Sequence, residues 1–359
     1  MEHIYLEMVD LLQKLIGIHS FSREEEKSAD CIGRFLEDKG IPFQRKINNI
    51  WTSNKYFDAD KPTILLNSHH DTVKPSDSYI RDPFDPCIED SRLYGLGSND
   101  AGGALVSLLG VFLNYYEEKD IPWNLIYAAT AEEEISGKGG VECILEELPT
   151  IDLVFVGEPT GMQMAISEKG LLVLDCHYMG VAGHAARNEG ENAIYKSLRD
   201  MEWFESFKFD KVSPLLGPVQ MNVTQIQAGN NHNVVPDHCT LVVDVRCTDA
   251  YTLEETLEII KNNTKGQIVP RSVRLRPSSI SGGHPILDTA RELNIDTYGS
   301  PTLSDQALIP FPSIKIGPGE SSRSHMVDEF IYLPEIENGI RVYAELLKKL
   351  RLESKNYHG

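Results

Sequence analysis

Long apolar runs are missing from the sequence, and this excludes a protein that spans a membrane. No run approaches the roughly 18–20 apolar residues that a spanning helix needs. The first residues, MEHIYLEMVDLLQKLIGIHS, combine acidic side chains with apolar positions at helical spacing. They lack the basic start and the continuous apolar core of a signal peptide. We therefore expect a cytoplasmic protein without a membrane partner.

Basic residues and paired cysteines are also scarce. The 34 lysines and arginines are outnumbered by 54 acidic residues, which leaves a formal net charge of −20. Because phosphate binding needs clustered cations, nucleic acid is excluded as a partner. The six cysteines are scattered without a C-x-x-C pair, which predicts reduced thiols instead of a disulfide framework or a zinc ribbon.

The length of 359 residues favours two domains, because single hydrophobic cores rarely grow this large. In the first part of the chain short apolar runs alternate with amphipathic segments. This order is typical of an α/β domain with a mixed, mostly parallel sheet flanked by helices. The predicted helices cover residues 1–20, 23–39 and 100–119, and the predicted strands cover residues 63–69, 125–134 and 151–160.

The pattern changes after about residue 169. Segments with period-two alternation are separated by two helical segments, which predicts a smaller α+β domain with an antiparallel sheet. The chain then returns to the first pattern and ends in an amphipathic helix that starts near Pro334. We therefore predict a discontinuous domain of residues 1–169 and 283–359, with residues 170–282 inserted into it.

Side chains that can bind metal stand at the predicted ends of several strands. They are His69 and Asp71 after TILLNS, Asp100 after LYGLGSN, Glu132–Glu134 after NLIYAATA, Glu158 after LVFVG, and His325 after SIKIGPG. Ligands collect at the carboxyl ends of parallel strands. A single acidic residue there is equally explained by helix capping. Repetition at four strand ends, together with two histidines, favours a dinuclear site for Zn²⁺, with Co²⁺ or Mn²⁺ suited to the same donors.

The same motifs carry a family resemblance. The H-x-D of SHHDTV, the Asp of GLGSNDAGG, the paired glutamates of TAEEE, the acidic residue of VGEPT and the late His of SRSH occur in one order along the chain. In this the chain resembles the M20 metallopeptidase family, in particular its acetylornithine deacetylase and succinyl-diaminopimelate desuccinylase branch. The resemblance covers nearly the whole chain. It implies the predicted fold, with the inserted domain acting as a lid or dimerisation domain.

The resemblance also implies a role for each site residue. His69 and Glu158 would bind one metal ion, Glu134 and His325 the other, with Asp100 bridging them, Glu133 as general base and Asp71 as the partner of His69. Glu132 need not be catalytic. His70 is predicted to be structural, because a rigid neighbour of His69 rarely reaches the same metal.

In the inserted domain the resemblance singles out three residues. His184 would stabilise the oxyanion in a neighbouring active site across a homodimer interface. Asn233 and Arg246 would bind a substrate carboxylate, with a surface ion pair as the less favoured alternative for Arg246. Ser304, in the SPTLSDQ loop, would lie near the acyl pocket. His232 and His238 are predicted to be solvated loop residues.

These features predict a metal-dependent amidohydrolase that removes the acyl group from a small N-acyl amino acid. The favoured substrate is N-acetylornithine or a related N-acyl-ornithine, such as N-succinyl-ornithine, in arginine biosynthesis. The alternatives are a succinyl-diaminopimelate desuccinylase and a di- or tripeptidase. Outside the enzymes, a non-catalytic metal-binding protein or an oligomerisation module remains open. Glu133 discriminates between them, because a pure metal binder has no use for a free base beside a filled ligand set.

Overall fold

The computed structural model describes residues 2–187 and 189–352, along which strands and helices alternate. The seven α-helices within these residues are α1 (Glu2–Ile16), α2 (Glu26–Asp38), α3 (Gly103–Tyr115), α4 (Ala193–Ser206), α5 (Leu253–Asn263), α6 (Pro285–Glu292) and α7 (Leu333–Lys349).

The strands in the described residues are, in chain order, β1 (Gln44–Lys46), β2 (Asn49–Ser53), β3 (Thr63–His69), β4 (Cys87–Glu89), β5 (Arg92–Tyr94), β6 (Asn124–Thr130), β7 (Leu153–Val156), β8 (Met164–Glu168), β9 (Gly170–Met179), β10 (Gly183–His184), β11 (Gln220–Ala228), β12 (Val234–Val235), β13 (His238–Cys247), β14 (Gln267–Pro270), β15 (Ser278–Ser279), β16 (Thr297–Ser300), β17 (Ser313–Lys315) and β18 (Phe330–Tyr332).

The chain divides into two units. The first consists of the chain through Ile166, of Ile280–Tyr298, and of the chain from Ser304 onward. The second consists of Ser167–Ser279 together with the short segment Gly299–Leu303. The chain therefore enters the second unit twice.

A twisted mixed sheet forms the centre of the first unit. Seven of its nine strands in the described chain lie in the order β1-β2-β6-β3-β7-β17-β8, and the short strands β15 and β16 both pair with β8. The four central strands run parallel, because β3 pairs in parallel with both β6 and β7, and β7 pairs in parallel with β17. The outer strands pair antiparallel. Strands β3 and β6 are buried along their whole length, as expected for strands covered on both faces.

Helix α3 packs against β3 and β6 and also contacts α1 and α7. It is apolar on nearly every side, and its residues from Gly103 to Phe112 are all buried. It begins later than the sequence predicts, because Asp100 and Ala101 depart from helical dihedral angles. Gly103 lies close to the buried Ile331, so an added Cβ would force the end of that side chain to shift.

The second unit is built on an antiparallel sheet of the order β11-β13-β9-β14. Strand β9 alternates regularly between buried and half-buried residues, which is the pattern of a sheet with one covered face. Helix α4 packs against β9, β11 and β13. Strands β11 and β14 form the two edges of this sheet.

The structure confirms the predicted fold class, a mixed α/β architecture with a mostly parallel central region and a separate antiparallel sheet. Within the described residues no helix has both the length and the apolarity to cross a membrane. All six cysteines are free, three of them buried and three half-buried.

Candidate metal centre

The side chains singled out in the first unit meet at one edge of its sheet. Because β6, β3, β7 and β17 are parallel neighbours, their carboxyl ends lie side by side. His69 ends β3, and a tight turn presenting Glu133 and Glu134 follows β6. Glu158 follows β7, and the loop after β17 carries His325. The order of the strands thus brings together residues that are far apart in sequence.

Asp100 lies between the two histidines. Its Oδ1 is 3.4 Å from Nε2 of His69, and its Oδ2 is 3.5 Å from Nε2 of His325. Nε2 of His325 is also 3.1 Å from Oε2 of Glu134. One carboxylate therefore faces an imidazole with each of its oxygens, which is the arrangement that a bridging ligand requires.

Glu133 and Glu158 approach His69 from other directions. Nε2 of His69 is 3.9 Å from Oε2 of Glu133 and 3.8 Å from Oε1 of Glu158. The described residues offer two triads with ligand atoms within 4.8 Å of one another: His69 with Asp100 and Glu134, and His69 with Glu133 and Glu158. Geometry alone therefore does not separate a glutamate that binds metal from one that acts as a base.

Asp71 joins the two halves of this cluster. Its backbone oxygen lies 3.0 Å from Nδ1 of His69, and its Oδ1 lies 3.4 Å from the same atom. Its carboxylate also accepts the backbone N–H groups of Glu133 (3.1 Å) and Glu134 (3.2 Å), together with the hydroxyl of Ser22 (2.7 Å). Asp71 thus orients the imidazole and also anchors the turn that presents both glutamates.

Burial and mutual repulsion dominate the electrostatics of the cluster. Burial, followed by the charges of nearby carboxylates, raises the pKa of Glu133 well above its usual value, although His69 opposes the shift. Burial raises the pKa of Glu158 in the same way, against the opposing charge of His69. Burial alone lowers the pKa of His69, but contacts with Asp100 and Asp71 outweigh it, and that pKa lies well above its usual range. The cluster is therefore short of positive charge.

The cluster fits a metal ion on a structural criterion. Nε2 of His69 is buried and has no hydrogen-bond partner within the described residues. Four carboxylates nevertheless lie close to this histidine: Asp100, Glu133, Glu134 and Glu158. An unpartnered buried nitrogen is costly, and a cation next to it would also offset the crowded negative charge. Imidazole nitrogen and carboxylate oxygen are the donors that Zn²⁺ prefers.

The neighbouring His70 and Glu132 are not metal ligands in this arrangement, because their side chains have other hydrogen-bond partners. Nδ1 of His70 lies 2.9 Å from the hydroxyl of Ser28, and its Nε2 lies 2.9 Å from the backbone oxygen of Asn48. Burial lowers the pKa of His70. Glu132 adopts a left-handed conformation, and its carboxylate accepts the N–H of Gly139. Both residues support the loops around the cluster.

The remaining predicted residues, except Ser304, lie in the second unit. His184 and Asn233 are both exposed and adjacent: β10 pairs with β12, and the N–H of Ala185 donates to the backbone oxygen of Asn233. Arg246 forms an ion pair with Asp244, with its Nε 2.9 Å from Oδ1. His232 and His238 are exposed.

Ser304 belongs to the first unit. It is 3% exposed, and its hydroxyl accepts the N–H of Gln306 at the start of a short turn.

Two buried carboxylates were not anticipated from the sequence. Asp305 accepts hydrogen bonds from Nδ2 of Asn67 (2.8 Å) and from the hydroxyl of Thr130 (2.9 Å), and burial raises its pKa to about 6. Glu329 binds the backbone beside Asp100, and burial raises its pKa to about 8. The sequence signal for each is weak, because neither residue has a motif of its own. Each only lies near a predicted site residue: Asp305 directly follows Ser304, and Glu329 comes four positions after His325.

The parallel strand ends and the cluster of histidines and carboxylates are those of a metal-dependent hydrolase. A model of Peptidase family M20/M25/M40 matches residues 65–349, which is most of the chain. The chain belongs to this family, and it is a metal-dependent amide hydrolase. The predicted family membership is thereby confirmed, and the non-catalytic alternatives are disfavoured.

Comparison with individual proteins supports the same assignment. The chain is 23% identical to the succinyl-diaminopimelate desuccinylase of Delftia acidovorans, an alignment that covers 96% of this chain and 98% of that protein. Its fold is similar to that of the M20 family metallo-carboxypeptidase Sso-CP2 of Sulfolobus solfataricus, with a TM-score of 0.76, 16% identity and coverage of 96% and 99%. It is also similar to the dinuclear metal-binding peptidase YXEP of Bacillus subtilis, with a TM-score of 0.74, 15% identity and coverage of 97% and 98%.

Proposed function

We propose that the protein hydrolyses the amide bond of a small N-acyl amino acid at a dinuclear metal centre. The observation that carries this proposal is the position of Asp100, whose two carboxylate oxygens face His69 and His325 from opposite sides. Glu133, which we propose as the general base, stands beside the same cluster, with its Oε2 3.9 Å from Nε2 of His69. A bridging ligand and a neighbouring base are the parts that hydrolysis by two metal ions requires.

In this proposal His69 and Glu158 would hold one ion, Glu134 and His325 would hold the other, and Asp100 would be their shared ligand. Zn²⁺ is the proposed metal, and Co²⁺ or Mn²⁺ suit the same donors. When bound, the ions supply Lewis-acid polarisation of the acyl carbonyl and lower the pKa of water.

The chain's own residues supply the proton transfers and the binding of the substrate. Glu133 accepts a proton from the attacking water and delivers it to the leaving amine, which is the task of a general base followed by a general acid. Its side chain is 13% exposed, so little bulk water competes for this proton. Asp71 holds the backbone N–H of Glu133 and thereby fixes where the base points. We assign oxyanion stabilisation in the active site of a neighbouring subunit to His184, and substrate contacts to Asn233 and Ser304.

Two neighbouring cations in the second unit, Lys169 and Arg246, support the proposal that the substrate carries an acidic group. Burial lowers the pKa of Lys169, and the charge of Arg246 lowers it further, which indicates that the two cations lie close together. Lys169 donates to Gln220, and Arg246 donates to both carboxylate oxygens of Asp244, at 2.9 and 3.0 Å. A substrate carboxylate would offset this repulsion.

For the substrate itself we propose N-succinyl-diaminopimelate, in keeping with the name of the relative from Delftia acidovorans. N-acetyl- and N-succinyl-ornithine remain the second candidates, because the motifs of the sequence resemble that branch of the family. The test is amine release by protein reconstituted with Zn²⁺ or Co²⁺ after chelation. The matched substrates are N-succinyl-diaminopimelate, the two acyl-ornithines and simple dipeptides.

Metal-dependent turnover of one acyl amino acid would identify the acyl group and support the proposal. Turnover of dipeptides alone would make the protein a peptidase. A few contacts in the acyl pocket shift such preferences strongly, so the panel has to be compared by kcat/KM.

We also propose that the protein is a homodimer that associates through the second unit. Strand β11 is an edge strand of nine residues without a charged side chain, and Ile226 on it is 50% exposed. Helix α4, which packs against β11, exposes Tyr195 (72%) and Leu198 (51%). A long, uncharged edge is the kind of strand that pairs with another chain. The opposite edge, β14, is only four residues long and ends in Pro270.

Ile226→Lys is expected to convert the dimer into a monomer, because it places a charge in the proposed interface. Size-exclusion chromatography with light scattering measures the change. Val269→Lys on β14 is the matched control, since Val269 is also an exposed edge residue (41%). The control is expected to remain dimeric. A wild-type protein that is monomeric at micromolar concentration would refute this proposal.

A further inference from the structure

Glu329 is a buried carboxylate that takes no part in the proposed hydrolysis. It is 1% exposed. Its Oε2 accepts the backbone N–H of Gly97 at 3.0 Å, and its Oε1 accepts those of Asn99 at 2.8 Å and Asp100 at 2.9 Å. All three donors belong to the short segment that presents Asp100. Glu329 therefore fills a concave set of backbone N–H groups with both of its own side-chain oxygens.

The segment that presents Asp100 does not satisfy these N–H groups by itself. Asp100 (φ −117°, ψ 98°) and Ala101 (φ −115°, ψ 31°) depart from helical geometry, so the regular hydrogen bonds of a helix start only later. Buried N–H groups without a partner are costly. The conformation of this segment therefore depends on an acceptor from elsewhere in the fold, and Glu329 supplies it.

The same residue connects the loops of Asp100 and His325. Strands β5 and β18 pair antiparallel, and the N–H of Gly95 donates to the backbone oxygen of Glu329 at 3.0 Å. The side chain of Asn99 forms two further bonds to the backbone of Glu320, which precedes the His325 turn. Hydrogen bonds thus connect the loop that carries Asp100 with the loop that carries His325.

We infer that Glu329 is a positioning residue of the metal centre, which aims Asp100 so that its oxygens face His69 and His325. This inference rests on the proposed dinuclear function. Glu329 itself is not a ligand, because its oxygens are taken by backbone N–H groups. Replacing one of its two acceptor oxygens is expected to misplace the bridging carboxylate, so that binding of the second ion weakens while the fold remains.

Glu329→Gln tests this inference with a side chain of nearly the same shape. The glutamine oxygen can still accept from two N–H groups, but its amide group then faces the third donor. Zinc titration of metal-free protein by calorimetry is expected to give two ions per chain in the wild type. In Glu329→Gln we expect at least one ion to bind about 10- to 100-fold more weakly, as is typical when an outer partner of a metal ligand is lost. The absorption spectrum of the Co²⁺ form should change as well.

Asp200→Asn is the matched control. Asp200 is 1% exposed and accepts the hydroxyl of Tyr178 (3.0 Å) and the backbone N–H groups of Lys265 (2.7 Å) and Gly266 (2.9 Å), all within the second unit. The same chemical change there is expected to lower the melting temperature while both ions bind with wild-type affinity. If Asp200→Asn weakens metal binding as much as Glu329→Gln, general destabilisation is the cause and the inference is wrong.

The remaining outcomes separate the inference from the proposed function. Two ions bound with wild-type affinity in Glu329→Gln would overturn the positioning role and leave the proposed function intact. A wild-type protein that never binds a second ion would instead overturn the proposed function. If Glu329→Gln does not fold, Glu329→Asp takes its place. That variant keeps both acceptor oxygens but places them on a shorter side chain, away from the three N–H groups, and wild-type affinity in it would also overturn the inference.

Discussion

Replacing Glu133 with alanine is expected to lower kcat by about three orders of magnitude, within the range of about 10²–10⁴ typical of a lost general base. The two metal ions are expected to stay bound, because the proposed ligands His69, Glu158, Asp100, Glu134 and His325 remain. Single-turnover kinetics and metal analysis of the same sample measure the two effects. A loss of turnover without a loss of metal is the signature that separates a base from a ligand.

Glu132→Gln provides the control for this variant. Glu132 precedes Glu133 in the same turn, but its carboxylate accepts the N–H of Gly139, and glutamine keeps an acceptor there. We expect this variant to retain activity within a few-fold. If Glu133→Ala loses a metal ion, Glu133 is a ligand, which the triad of Glu133, His69 and Glu158 would also permit. Full activity in Glu133→Ala would exclude both roles.

Replacing His69 with alanine is expected to abolish tight binding of the ion that His69 shares with Glu158. Turnover should fall to the background, because one ion cannot replace the pair. The variant should also lose most of the stabilisation that metal gives the wild type. That stabilisation is about 2.7 kcal/mol when the free metal concentration is 100-fold above Kd. Thermal unfolding with and without a chelator measures it, and the chelator is expected to lower the wild-type melting temperature more than that of His69→Ala.

His70→Ala separates this effect from a simple loss of buried contacts. His70 is adjacent and buried, with Ser28 and Asn48 as its partners. Its removal is expected to destabilise the fold by about 1–3 kcal/mol through the partners left unpaired, while the metal content stays at the wild-type level. Equal metal loss in both variants would show that the His69 effect is indirect.

Periodicity and motif order anticipated much of this molecule. The predicted strand at residues 63–69 coincides with β3, and the helix predicted near Pro334 begins at Leu333. These features depend on local patterns, since alternation and apolar spacing are written into neighbouring residues. His69, the glutamates and His325 lie together because they follow parallel strands, and parallel strands place their carboxyl ends at one edge. Asp100 is different, because it follows β5 of a separate antiparallel sheet and reaches the cluster from the segment before α3.

Asp305 and Glu329 escaped prediction for a different reason. Each is an ordinary acidic residue in a loop, and neither has a motif that marks it as buried. Their roles come from partners that are distant in the chain: Glu329 binds Asn99, 230 positions away, and Asp305 binds Asn67, 238 positions away. Nothing local in the sequence indicates such contacts.

The sequence by itself determined the α/β class, the family and the residue types at the strand ends, because these follow from local periodicity and from motifs in a set order. Tertiary structure decided which of those residues meet and what holds them in place. The strand order β6-β3-β7-β17 sets the neighbours. The antiparallel pairing of β5 with β18 brings Glu329 to the segment of Asp100. Such pairings arise from packing between remote segments, and only the folded chain reveals them.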